Sequence, residues 1–192
     1  RFDTYRKQRE DSPAGQGSLV VRSPEGAAAA RSWEGDWKAV AEGVAFARDL
    51  VTEPANTLYP EEFVARTRAA FAGKPNISIE VLDVPAMERL GMGRLLAVGQ
   101  GSVRPPRLML VRYNGGARGE APVAFVGKGI TFDSGGLSIK GSENMWRMKY
   151  DMAGAASATG AVLALAGRGA RVNAVAVAAL AENMPSSTAS RP

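Results

Sequence analysis

A chain of 192 residues with no cysteine and no histidine has no means to build a disulfide framework, a thiolate metal site or an imidazole general base. Its 45% apolar and 22% charged residues suit a globular domain large enough to bury a core, and no apolar run nears the ~18 residues of a membrane span, so no membrane partner is expected. Lysine and arginine exceed aspartate and glutamate by 24 to 19, but the excess is spread along the chain without a basic, aromatic-interleaved cluster, so nucleic acid is not an expected partner either.

The first residues, Arg1-Phe2-Asp3-Thr4-Tyr5, carry no initiator Met and no charged-then-apolar signal pattern. A cytoplasmic protein is the expectation, with residues 1–32 a linker or the remnant of a preceding domain around one short strand, Ser18 to Arg22. From Trp33, apolar residues at helical spacing (Val40, Val44, Ala47, Leu50, Val51) predict a helix ended by Glu53-Pro54. Pro60 followed by Glu61-Glu62 opens a second helix, because proline suits the first turn and acidic side chains suit its positive end. Ile77 to Leu82 alternates as a strand, and Pro85 to Leu90 reads as a short helix closed by Gly91. Arg107 to Tyr113 and Pro122 to Val126 are two more strands, the first the more buried. Met152 to Leu165 is a small-residue helix suited to close packing on a sheet, and Val172 to Leu180 is an apolar strand. Strands alternating with helices predict an α/β, three-layer sandwich around a mixed, largely parallel sheet, with any site beyond the C-terminal strand ends.

One such end leads into "GKGITFDSGGLSIKGSENMWRMKYDMAGAA", Gly127 to Ala156. A phosphate loop is disfavoured by Pro122 and Gly129 where glycine and a hydroxyl residue are needed, and the dinucleotide fingerprint fails at Phe132. Asp133 in a strand-end loop and Asp151 at a helix start are placed to converge as oxygen ligands for Mg, Mn or Zn. A lysine joins such a set only after losing its proton, which burial beside dications permits. Taken singly, each residue has another reading. Asp133 suits the turn Ser134-Gly135-Gly136, Asp151 suits an N-cap, Lys128 and Lys140 suit solvent, and Met145 and Met148 suit a core.

The same stretch resembles the signature of the leucine aminopeptidase (cytosol aminopeptidase) family. The likeness extends to "EGVAFARDLVTEPANTLYPEEF", "MGRLLAVGQGSVRPPRLMLVRYNGG" and "ENMPSSTASRP", over about residues 36–192. It implies a peptidase catalytic domain from residue 33 onward and a site of two divalent ions, manganese or zinc with magnesium a third candidate. Lys128, Asp133 and Asp151 match metal ligands, Asp133 the one that bridges both ions. Lys140 matches the catalytic lysine that polarises the scissile carbonyl, and Met148 matches a residue lining the pocket for the substrate's N-terminal side chain. The resemblance also implies peptide substrates with apolar N-terminal residues such as Leu, and a homo-hexamer.

Two departures stand out: Gly141 where the family usually has proline, and Ser187 where it usually has glycine. The family's second metal motif, Asn-Thr-Asp-Ala-Glu-Gly-Arg with its catalytic arginine, is not in this chain, which on this reading is a central portion of the catalytic domain. The 192-residue polypeptide alone is therefore expected to be inactive. Hydrolysis of a leucine anilide by the purified, mass-verified chain would overturn that expectation. The competing reading is an inactive family member serving as a binding or assembly protein, with its basic charge serving nucleic acid.

Overall fold

The computed structural model describes residues 4–5, 20 and 22–191. The strand expected over Ser18 to Arg22 falls largely outside these residues. Helix begins at Gly26, seven residues before the pattern suggested. Helix α1 (Gly26–Ser32) buries no residue, passes through a π-helical turn (Trp33–Trp37) and continues as α2 (Lys38–Thr52). An alanine run propagates helix well without a buried face, which is why hydrophobic periodicity did not mark it.

Helix α3 (Pro60–Ala70) starts on its proline as expected, and strand β1 (Ile77–Leu82) occupies the predicted residues. Asp83 caps α4 (Val84–Arg89), its carboxylate accepting from the Ala86 amide at 2.9 Å, and Gly91 takes a φ of 68° just past the end. Helix α5 (Gly93–Gly99) was not anticipated, since a seven-residue segment flanked by glycines offers too little periodicity. Strands β2 (Arg107–Asn114), β3 (Val123–Asp133) and β4 (Asn173–Asn183), with helix α6 (Ala153–Gly167), complete the fold.

The sheet order is β1-β2-β4-β3. It is mixed, as expected, but only β3 and β4 run parallel; β1–β2 and β2–β4 are antiparallel. The balance differs from a largely parallel sheet because β3–α6–β4 is the one strand–helix–strand unit whose helix crosses the sheet face, and α4 and α5 are too short for a crossover. Met109, Val111 and Tyr113 of β2 and Ala174, Ala176, Ala178 and Leu180 of β4 form one buried face. They share a core with Leu50, Phe63 and the buried side of α6.

Alanine and glycine recur on all sides of α6, and the helix is buried accordingly, touching the sheet with one side and α2 with the other. Sheet, α6 and α2 are thus stacked on a single side. The opposite sheet face carries half-buried Leu108, Leu110, Val175 and Val177. As expected, β2 is more buried than β3; β3 forms a sheet edge, with Val126 76% exposed. No helix among the described residues is long and apolar enough to cross a membrane.

Candidate metal centre

Strand β3 does not stop at Val126 but runs to Asp133, so Lys128 lies within the strand and Asp133 ends it, where a strand-end loop was expected. Glycines at 127 and 129 read as loop in isolation; pairing with β4 overrides that preference. The continuation carries a geometric consequence. Lys128 and Asp133 are an odd number of residues apart, which in a regular strand puts their side chains on opposite faces. The register shifts between Ile130 and Phe132: Lys128 pairs with Ala179 and Asp133 with Asn183, a four-residue step on β4. One extra residue in β3 restores the parity and returns Lys128 and Asp133 to the same face. Phe132, on the other side, is buried against Ala55 and Met184.

Helix α6 reaches the strand through a glycine pair. A Cβ on Gly127 would overlap the Gly154 carbonyl, and one on Gly154 would lie 3.1 Å from the Lys128 amide. This approach brings Asp151, just before α6, to Lys128. Lys128 Nζ lies 2.8 Å from Asp151 Oδ2. That oxygen is shut off from solvent and accepts no aligned hydrogen bond, so the contact is one of charge. Asp151 is not the N-cap of α6: Met152 holds that position, without a side-chain cap.

The second pair lies at the strand end. Lys140 Nζ donates to Asp133 Oδ2 at 2.5 Å and touches Met148 Sδ at 3.2 Å. Met148 sits in a 3₁₀ segment (Met145–Tyr150) that packs on Phe132 and is tied to the end of α2 by Lys149, which donates to the Thr52 carbonyl at 2.7 Å. Met148 is both core filler and neighbour of Lys140. Asp133 Oδ1 accepts from the Gly135 amide at 3.0 Å and from Asn183 Nδ2 at 2.7 Å. Burial disfavours the charged Asp133, yet the Lys140 ammonium, the Gly135 amide and the Asn183 amide together outweigh it and hold the carboxyl below the usual carboxylate range.

The five residues therefore gather as two groups, Lys128 with Asp151 and Lys140 with Asp133 and Met148. No hydrogen bond or ion pair among the described residues joins the groups, and no trio of Asp, Glu, His or Cys gathers for a metal. The donors suit a divalent cation nonetheless. They are hard carboxylate oxygens already facing positive charge, and buried Asp151 Oδ2 lacks a hydrogen-bond donor. Gly141 has open space where a side chain would stand and Ser187 is exposed, so neither departure from the family pattern disturbs the centre.

Two features here were not read from the sequence. One is the bulge in β3. The other is the end of β4, where Asn183 meets Asp133 and the fully buried Glu182 accepts from Ser102 Oγ and from Arg191, whose Nε lies at 2.8 Å. Arg104 stands 3.5 Å from the same carboxylate, donates to the Ala55 and Asn56 carbonyls and lies over the Tyr59 ring. The available signal was an acidic residue in an otherwise apolar strand, "AVAVAALAEN", followed by an arginine nine residues later.

The fold is an α/β domain with two lysine–carboxylate pairs, one within β3 and one at its end. Residues 45–192 match the model of the cytosol aminopeptidase family, catalytic domain, and the chain belongs to that family. It is 48% identical over 192 residues to a probable cytosol aminopeptidase of Bradyrhizobium sp. and 47% identical over 196 residues to one of Rhizobium rhizogenes. All of this chain is matched in both, but it spans only 38% and 39% of those relatives. Among solved structures it resembles the bottromycin maturation enzyme BotP in complex with Mn, with a TM-score of 0.79 and 38% identity over 97% of this chain and 37% of that one. It also resembles the cytosol aminopeptidase from Coxiella burnetii, with a TM-score of 0.67 and 30% identity over 72% of this chain and 30% of that one.

Proposed function

We propose that this chain carries part of the two-metal centre of an aminopeptidase that removes N-terminal residues, preferably Leu and other apolar ones, from peptides. The proposal concerns the protein at its relatives' length, below the full-length protein. Lys128, Asp133 and Asp151 are metal ligands, Lys140 is catalytic and Met148 lines the side-chain pocket. The observation that carries the reading is the pairing of both carboxylates with cations, Lys128–Asp151 and Lys140–Asp133, with Asp151 Oδ2 buried and without a hydrogen bond. Manganese in BotP and the family's name support it.

Two divalent ions, when bound, would lower the pKa of water and stabilise negative charge at the reacting carbonyl. The chain's own residues do the rest. Lys128 would hold a metal through the lone pair of its amine. Lys140 directs Nζ–H at the carbonyl oxygen as negative charge builds there. Met148, unbranched and polarisable beside Lys140, gives an apolar substrate side chain an adaptable wall.

The test is metal dependence. Chelator-stripped full-length protein should lose hydrolysis of leucine p-nitroanilide and regain it on adding Mn²⁺, whereas Asp151→Asn should not regain it at the same Mn²⁺ concentration. Full activity after verified metal removal would overturn the proposal. No hydrolysis at any Mn²⁺ concentration would instead favour a binding protein that keeps the fold.

A further inference from the structure

Asn183 closes β4 directly opposite Asp133, which closes β3. Its main chain and side chain both act on the Asp133 turn. The Asn183 carbonyl accepts from the Ser134 amide at 3.0 Å and from Ser134 Oγ at 2.8 Å, fixing the residue after the carboxylate. Its side-chain Nδ2 donates to Asp133 Oδ1 at 2.7 Å. The amide has one workable orientation, because a carboxylate only accepts and Oδ1 turned toward it would be repelled. The chain then returns past this amide through Gly135 and Gly136, at φ of 91° and 68°. A Cβ on Gly136 would stand 2.8 Å from Asn183 Oδ1, so glycine is required both for the backbone conformation and for the close approach.

The two oxygens of Asp133 are consequently unlike. Oδ1 accepts from two neutral donors, Gly135 N and Asn183 Nδ2, while Oδ2 faces the Lys140 ammonium. Two hydrogen bonds occupy the in-plane lone pairs of Oδ1 and leave Oδ2 as the oxygen open to cations. A neutral amide is the side chain for this task. An anion here would repel Asp133.

We propose that Asn183 is a positioning residue of the metal centre, whose amide holds Asp133 Oδ1 and thereby presents Oδ2 to the metal. This rests on the assignment of Asp133 as a ligand. Partners that orient a metal's ligands typically change affinity by about 10–100-fold when removed.

The experiment measures Mn²⁺ binding to chelator-stripped full-length protein by isothermal titration calorimetry, with Tm of the metal-free protein recorded alongside. Asn183→Leu removes the donor at similar size, and Asn183→Asp keeps the shape but replaces the donor with an acceptor. Both should weaken the Mn²⁺ Kd by about 10–100-fold, and the folded metal-free proteins should still unfold cooperatively. A lowered Tm with unchanged Mn²⁺ affinity would make Asn183 merely structural and overturn the proposal. If Asn183→Leu does not fold, Asn183→Asp carries the same comparison. If unsubstituted protein takes up no Mn²⁺, the ligand assignment itself falls, and this proposal with it.

Discussion

Lys140→Ala in the full-length protein is expected to lower kcat for leucine p-nitroanilide by about 10²–10³-fold while changing KM little, the size of effect seen when one donor to a developing oxyanion is removed. Lys140 is only 36% exposed and its Nζ is held 2.5 Å from Asp133 Oδ2 and 3.2 Å from Met148 Sδ. The charge is therefore fixed in place before substrate arrives, at the proposed meeting point of ligand and side-chain pocket. A preorganised cation acts mainly on the transition state, because a neutral amide carbonyl has little charge to attract it and the tetrahedral species has a full one. Steady-state rates over a range of substrate concentrations decide the matter. A raised KM with unchanged kcat would assign Lys140 to ground-state binding.

Glu182→Ala should produce the largest loss of stability, about 3–5 kcal/mol, the usual consequence of removing one partner from a buried ion pair. Glu182 is fully buried and receives Ser102 and Arg191, with Arg104 close by. The Glu182 carboxylate raises the Arg191 pKa, so that guanidinium keeps its charge and is left facing apolar surroundings once the carboxylate is gone. Through Arg104 the same cluster ties the Ala55–Tyr59 loop to the end of β4, one residue from Asn183. Chemical denaturation of the metal-free protein reads the effect. Combining Glu182→Leu with Arg191→Met should recover part of the loss, because the double variant buries no unpaired charge. A Glu182→Ala midpoint equal to that of the unsubstituted protein would show that the network is energetically neutral.

Local patterns marked most elements. Pro60 with two glutamates marked α3, alternation marked β1, and a small-residue run marked α6, since each depends on residues within a few positions. What went unread depended on partners elsewhere in the chain. The seven residues of β3 beyond Val126 look like loop because the strand there contains two glycines and two charged side chains, and only β4 supplies their hydrogen bonds. The sheet's balance of directions was misjudged because alternation of strands and helices does not say which helices cross a face.

For the candidate centre the division is similar. Composition excluded cysteine and histidine chemistry, and the resemblance of the run from Gly127 to Ala156 to the family signature singled out Lys128, Asp133, Lys140, Met148 and Asp151. Their pairing was decided by tertiary structure. The bulge in β3 sets Lys128 and Asp133 on one face, the Gly127–Gly154 contact carries Asp151 to Lys128, and the end of β4 places Asn183 on Asp133. The physical reason is range: a motif specifies which groups are present, whereas strand register and backbone approach, set by residues 27 to 51 positions apart, specify where their charges meet.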